Sequence, residues 1–285
     1  MNNFFPRIAP VLRLRTALLF PTALLLLLIA SIFMHGCSGG GSDDSQTPLL
    51  TNACSQLGLN TRIINGTECL ENGSPIVKII INLADGSQGI CSGTLITPTH
   101  VLTAAHCFFS SVGPTLVSVA GQTKTATHVT SHPAVLIDNQ SGRIENDAAI
   151  VELRSPFSGA SILPVVISRQ PQSGDTISIF GYGKDEVGQF GTLRSGEMRI
   201  HEVSTTHIRA KYEGEGSNTC FGDSGGPAIL TYMNNAGVEV DGIIGLVSSG
   251  ILPTCLAGDE TFFTNVTTQS LIDFVTSVVP SASVS

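Results

Sequence analysis

From position 63 onward the chain alternates short apolar runs with turn-forming stretches. The runs IVKIIINL (76–83), GTLITPTHVLTAA (93–105), TLVSVAG (115–121), AAIVEL (148–153), TISIFGYG (176–183) and GIIGLVSSG (242–250) are rich in Val, Ile and Thr. Their composition and spacing predict the strands of an all-β protein, not strands alternating with helices. One helix is predicted, at the end. Leu271, Ile272, Phe274, Val275, Val278 and Val279 fall on one face, and Pro280 stops it. The core reads as β-barrels with a terminal helix.

The first third of the chain has a different pattern. Arg7, Arg13 and Arg15 precede a long apolar run, TALLFPTALLLLLIASIFM (16–34), which is the layout of an export signal. The run is also close to the length of a membrane span. Gly36-Cys37 and the Gly/Ser/Asp stretch behind it resemble the lipobox of bacterial lipoproteins, whose cysteine is acylated. Two readings follow, a lipidated Cys37 in a bacterium or an uncleaved signal anchor, and both put the bulk of the chain outside the cytosol. Residues 1–37 are therefore expected to be signal or anchor. Residues 38–62 are a flexible tether and propeptide, and 63–285 are the globular domain.

Charge and cysteines narrow the function. The formal net charge is −8, and the globular part has no Lys/Arg cluster, so nucleic acid is not an expected partner. Setting Cys37 aside leaves six of the seven cysteines, Cys54, Cys69, Cys91, Cys107, Cys220 and Cys255. An even number fits disulfides in an oxidising compartment. There is no Cys-x-x-Cys pair, so a metal site has little support, and no cofactor is expected.

CFGDSGGP (220–227) raises the question of chemistry. Gly, Asp, Ser and Pro all form turns, yet bare backbone beside Ser224 would also let a substrate carbonyl approach a nucleophile. Serine attacks well only when a base takes its proton and a third group orients that base. All seven histidines, at 35, 100, 106, 128, 132, 201 and 207, precede Ser224. That order excludes the α/β-hydrolase elbow, where the histidine follows the serine, and with it the usual esterase fold. His106 lies in LTAAHC and Asp147 in ENDAAIVEL, just before a run that should be buried. A buried carboxylate requires a partner such as an imidazole N–H.

LTAAHC, NDAAIVEL and GDSGGP, in the order His, Asp, Ser, resemble the trypsin/chymotrypsin-like serine proteases. Lesser landmarks agree: CSGTLI (91–96), His132-Pro133, GYG (181–183) and VSSG (247–250). The resemblance implies two six-stranded antiparallel β-barrels packed together, with a C-terminal helix, and a monomer acting on protein or peptide substrates. It implies Ser224 as nucleophile, His106 as general base and acid, Asp147 as its orienter, and the N–H groups of Gly222 and Ser224 as oxyanion hole. RIING (62–66) matches the family's activation site, so an activating protease would cut between Arg62 and Ile63. Asp223 would then pair with the new α-ammonium. The same resemblance implies disulfides Cys91–Cys107 and Cys220–Cys255. Cys69 matches a family position whose usual partner is missing, and Cys54 is left over; Cys54–Cys69 is the third expected bridge, holding the propeptide to the enzyme.

The pocket positions depart from the trypsin pattern. Asn218 stands where trypsin-like cleavage after Lys or Arg needs an acid, and a neutral amide argues against a strict basic preference. Thr261 would narrow one wall, Ser248 and Gly250 would offer backbone to the substrate, and Gly250 would leave the entrance open. A small to medium uncharged residue is the expected substrate side chain. A catalytically silent, protease-like binding module at the cell surface is the alternative reading.

Overall fold

The computed structural model describes residues 67–138, 140, 142–234 and 236–285. The expected signal, the tether, Cys37, Cys54, Arg62 and Ile63 lie outside the described residues.

Six antiparallel strands close the first barrel: β2 (Ile76–Asn82), β3 (Gln88–Thr97), β4 (His100–Thr103), β5 (Leu116–Val119), β6 (Gln122–Ser131) and β9 (Ala149–Leu153). They run in the order β2-β3-β4-β9-β6-β5. Between β6 and β9, β7 (Leu136–Ile137) and β8 (Ile144–Glu145) form a separate hairpin. The second barrel contains β10 (Thr176–Gly181), β11 (Arg194–Val203), β12 (His207–Tyr212), β13 (Pro227–Met233), β14 (Glu239–Gly250) and β15 (Asp259–Asn265). It closes through the β11–β12 pairing, and β1 (Thr67–Glu68) lies on its β11 edge. The two-barrel expectation holds, and α1 (Gln269–Val278) is the terminal helix.

Strand alternation divides the core into three parts. Along β2, Val77 and Ile79 point into the first barrel with Leu95, Val117 and Val151. Ile76 points the other way, into a layer shared with Leu102, Ile150, Phe180, Tyr182 and Leu246 from both barrels. Phe274 and Val275 of α1 cover that layer. Ile177, Ile179, Ile208, Ile244 and Phe263 fill the second barrel.

Several strands differ from the pattern of apolar runs. The 93–105 run is a hairpin, because the chain turns after Thr97; Thr97 pairs with His100, and their side chains are bonded at 2.8 Å. Residues 105–108 then form a 3-10 turn. The 115–121 run stops at Val119, since Ala120 (φ 49°) and Gly121 (φ 72°) make a two-residue hairpin turn into β6. β6, β11, β12, β13 and β15 have no counterpart among the predicted strands. In β12 the reason is clear: Ile208, Ala210 and Tyr212 are buried while Lys211 faces solvent, so no continuous apolar run marks it.

Phe274→Ala should cost about 3–5 kcal/mol of stability, because it opens a cavity under the helix against both barrels. Urea denaturation of the full chain measures this, with the midpoint lowered and the slope unchanged.

Candidate active site

His106 sits in the 3-10 turn that follows β4, and the Cys91–Cys107 disulfide ties that turn to β3 (Cα–Cα 6.4 Å). Asp147 lies at the entry to β9, where Asn146 adopts a left-handed conformation (φ 50°) that asparagine tolerates better than most side chains. Asp147 is fully buried. Its Oδ1 accepts the His106 backbone N–H at 2.9 Å, and its Oδ2 is 2.7 Å from His106 Nδ1. The Ser248 hydroxyl donates to the same Oδ2 at 2.6 Å, and Thr264 bonds the Asp147 carbonyl at 3.2 Å.

These contacts fix the chemistry of the imidazole. A carboxylate can only accept, so Nδ1 carries the proton and Nε2 keeps a free lone pair. Burial on its own would raise the Asp147 carboxyl. The attraction of the carboxylate to His106 in its protonated form and the hydrogen bonds from His106 and Ser248 outweigh it, and hold the group below the ordinary aspartate range. His106 remains one-fifth exposed, which leaves its outer nitrogen reachable.

Ser224 occupies a loop packed against the same region of the first barrel. Its carbonyl accepts from Ser92 N–H at 2.8 Å and lies 3.9 Å from Cys107 Sγ, next to His106 in the chain. Gly225 must be glycine: φ is +77°, and a Cβ there would meet Thr103 Oγ1 at 2.0 Å. Ser92 also donates its hydroxyl to the Gly222 carbonyl (2.9 Å) and accepts from Tyr182 N–H (2.9 Å). Among the described residues no hydrogen bond joins Ser224 Oγ to His106 Nε2. Bonds of this kind often close only around substrate. Gly222 has φ +95°, and neither its N–H nor that of Ser224 donates to a described acceptor.

Asp223 turns away from solvent. Its oxygens accept N–H bonds from Gly183 and Cys220, each at 2.8 Å. A Cβ on Gly181 or Gly183 would strike its carboxylate, so both glycines are required by that approach. Burial pushes its pKa up to about 7, and the two N–H bonds and the Arg194 charge offset this only in part. No ion pair among the described residues includes Asp223. Arg194 is bonded instead to Asp185 (2.6 Å).

The pocket residues also come together. Asn218 is fully buried, and Thr261 on β15 donates its hydroxyl to Asn218 Oδ1 at 3.0 Å. Gly250 pairs with Thr261 across the β14–β15 ladder, and the Cys220–Cys255 bridge closes one side (Cα–Cα 5.5 Å). A second residue, Asp259, stands behind Asn218 and accepts its amide N–H at 2.9 Å. Three positions escaped sequence reasoning: the Ser248 hydroxyl, of which only the backbone was expected to act, the Ser92 clamp, and Asp259. Asp259 opens β15 beside Glu260, and an acidic pair in the sequence reads as solvated surface. Cys69 is engaged in a disulfide, and its partner lies outside the described residues. Among the described residues, the cluster of metal-ligating types is Cys91, Cys107 and His106; both sulfurs are tied in a disulfide.

A family model described as Trypsin matches residues 63–274. Kallikrein-11 of Homo sapiens is 30% identical over 207 residues, covering 65% of this chain and 72% of that protein. A venom serine protease of Polistes dominula is 31% identical over 196 residues, covering 59% and 70%. Mannan-binding lectin serine protease 1 of Homo sapiens is 28% identical, and the match spans 60% of this chain but 30% of that protein. The solved structure of HL collagenase superposes with a TM-score of 0.61 over 76% of this chain and 99% of that one; at 21% identity this shows the fold alone. These relatives give no support to the bacterial source suggested by Gly36-Cys37.

Asp223 sets a pH dependence. Its folded-state pKa is raised, so the folded chain holds the proton more tightly and stability falls as pH rises from about 4 to about 7. The loss in the uncut chain is on the order of 4 kcal/mol. Denaturation curves at pH 4.5 and pH 8, compared with Asp223→Asn, should show the steeper fall in the parent.

Proposed function

The chain belongs to the trypsin family, and we propose that it works as an exported serine endopeptidase through His106, Asp147 and Ser224. The observation that carries this reading is the fully buried Asp147 carboxylate holding His106 by both its backbone N–H and its Nδ1. That grip leaves Nε2 without a partner among the described residues, on a turn that packs against the Ser224 loop. Nε2 takes the Ser224 proton as Oγ attacks the scissile carbonyl, and the imidazolium formed is stabilised by Asp147. The imidazolium then protonates the leaving amine, and water repeats the sequence on the acyl-enzyme. The two N–H groups of Gly222 and Ser224 bind the developing oxyanion; each such donor is worth about 2.7–4 kcal/mol of barrier.

The chain is made as a proenzyme in this proposal. Asp223 is buried with two N–H donors and no ion-pair partner among the described residues. Cleavage between Arg62 and Ile63 by an activating protease supplies an α-ammonium to fill that role. Until then a buried, unpaired carboxylate opposes the active loop conformation. The Cys69 disulfide runs to Cys54 and keeps the cut propeptide attached. Residues 1–37 direct export and hold the protein at the membrane through lipid on Cys37 or through the apolar run itself. Residues 38–62 form the tether and propeptide, and 63–285 the monomeric protease domain. The two disulfides among the described residues fit an oxidising destination.

In the chain cut after Arg62, Ser224→Ala should lower kcat on peptide substrates by about 10⁶-fold. Asp147→Asn, which frees the imidazole to take the wrong tautomer, should lower it about 10⁴-fold. Steady-state hydrolysis of a peptide library checks both: variants as active as an active parent would overturn the roles of Ser224 and Asp147, and a cut parent that hydrolyses nothing would return the chain to the class of binding modules.

A further inference from the structure

The backbone that carries Asp147 is bonded from the second barrel at two places, and Thr264 supplies one of them. The other is His207, which opens β12 and is only 4% exposed. Its Nε2 lies 3.1 Å from the Ile144 carbonyl, three residues ahead of Asp147 in the chain. A carbonyl can only accept, so Nε2 carries the proton and donates it to Ile144. Nδ1 of the neutral ring then accepts from the Thr206 hydroxyl at 2.9 Å. Burial lowers the His207 pKa and Arg143 adds to this, while the Ile144 carbonyl, Glu145 and Asp147 offset it only in part. The ring therefore stays neutral, and both of its nitrogens are satisfied.

His207 is itself held in place. In the turn before β12, Ser204 N–H donates to the His207 carbonyl at 2.8 Å, and the Ser204 hydroxyl accepts His207 N–H at 2.9 Å. Asn265 ties that turn to the end of β15, through its N–H to the Thr206 carbonyl and its Nδ2 to the Ser204 carbonyl, both at 3.0 Å. Phe262, on the same strand, meets the His207 ring perpendicularly at 5.7 Å and carries the Arg143 guanidinium at 5.1 Å. β12 and β15 thus grip residues 143, 144 and 147 together.

Asn146 shows why a grip is needed. Its left-handed backbone (φ 50°) lies between Ile144 and Asp147, and such a conformation persists only where its surroundings hold it. Asn146 Nδ2 ties the turn to the Ala134 carbonyl at 3.0 Å. His207 and Thr264 hold it from the second barrel on either side. The aim of the Asp147 oxygens at His106 N–H and Nδ1 depends on that turn.

We propose that His207 is a positioning residue for the triad: by donating to the Ile144 carbonyl, it fixes the turn that aims Asp147 at His106. This role rests on the protease reading of the site. His207 acts through Asp147 and has no hydrogen bond to His106 or Ser224 among the described residues.

The chain cut after Arg62 provides the test. Nitrogen NMR of the parent should show His207 as the Nε2–H tautomer; an Nδ1–H tautomer overturns the role whether or not any variant folds. His207→Leu, which fills the space without a donor, should lower kcat at least about tenfold and leave KM within about twofold, since a small misplacement of a catalytic group is costly to rate. His207→Gln, whose amide donates from nearly the same place, should keep kcat within about threefold of the parent. The proton resonance of His106 Nδ1–H, read in a Ser224→Ala background, should shift or broaden in His207→Leu and return in His207→Gln. An unchanged resonance in His207→Leu, or equal losses in the two variants, overturns the role. Should His207→Leu not fold, His207→Gln decides alone: parent-like kcat and resonance support the donor, and their loss overturns it. A cut parent that hydrolyses nothing overturns the protease reading instead, and the resonance still decides what His207 does.

Discussion

A carboxylate with no exposure to water has to be surrounded by donors, and around Asp147 those donors come from far apart in the chain. His106 reaches it from the turn after β4, the Ser248 hydroxyl from β14, and Thr264 bonds its carbonyl from β15. The first belongs to one barrel and the other two to the second. The site therefore exists only where the barrels meet, and the layer of Ile76, Leu102, Ile150, Phe180, Tyr182 and Leu246 between them fixes its geometry. Apolar packing sets the distance between the barrels. Hydrogen bonding to one buried anion sets their register at the site.

The Ser224 loop obeys the same constraint in another form. Its backbone runs so close to Thr103, Ser92 and Gly183 that side chains at 222, 225 and 226 have nowhere to go. Ser92 clamps the loop from the first barrel, and the buried Asp223 draws it in from the second. The free N–H groups of Gly222 and Ser224 follow from this close approach.

Much of this was legible in the sequence because it is written in unusual residues. Histidine and cysteine are scarce, at seven each in 285 residues, and His106 and the four cysteines 91, 107, 220 and 255 appear with Asp147, Ser224 and the glycines around it in an order that has few explanations. The barrels were legible as apolar runs, but strands such as β6 and β12 were not: β6 is nowhere fully buried, and polar residues break the run in both. The turns after Val119 and Thr97 hid inside runs that looked continuous. Ser248 and Ser92 were hidden for a different reason. A hydroxyl becomes a positioning group only through what it faces, and nothing local says that Ser248 faces Asp147 from 101 residues away. Asp259 is the sharpest case, since an acid next to Glu260 looks solvated until the fold buries it at the start of β15 behind Asn218.

Of the buried carboxylates among the described residues, Asp185 and Glu260 pair with Arg194 and Arg209, whereas those at 147, 223 and 259 are held by N–H and O–H donors. The central claim is that Asp147 turns Ser224 into a nucleophile. Its most direct test is pre-steady-state reaction of an activated ester with the chain cut after Arg62, quenched in acid and mapped by mass spectrometry. The account predicts a burst of about one equivalent of leaving group, with the acyl group on Ser224. A linear release with no burst, or an acyl group found on another residue, would contradict it.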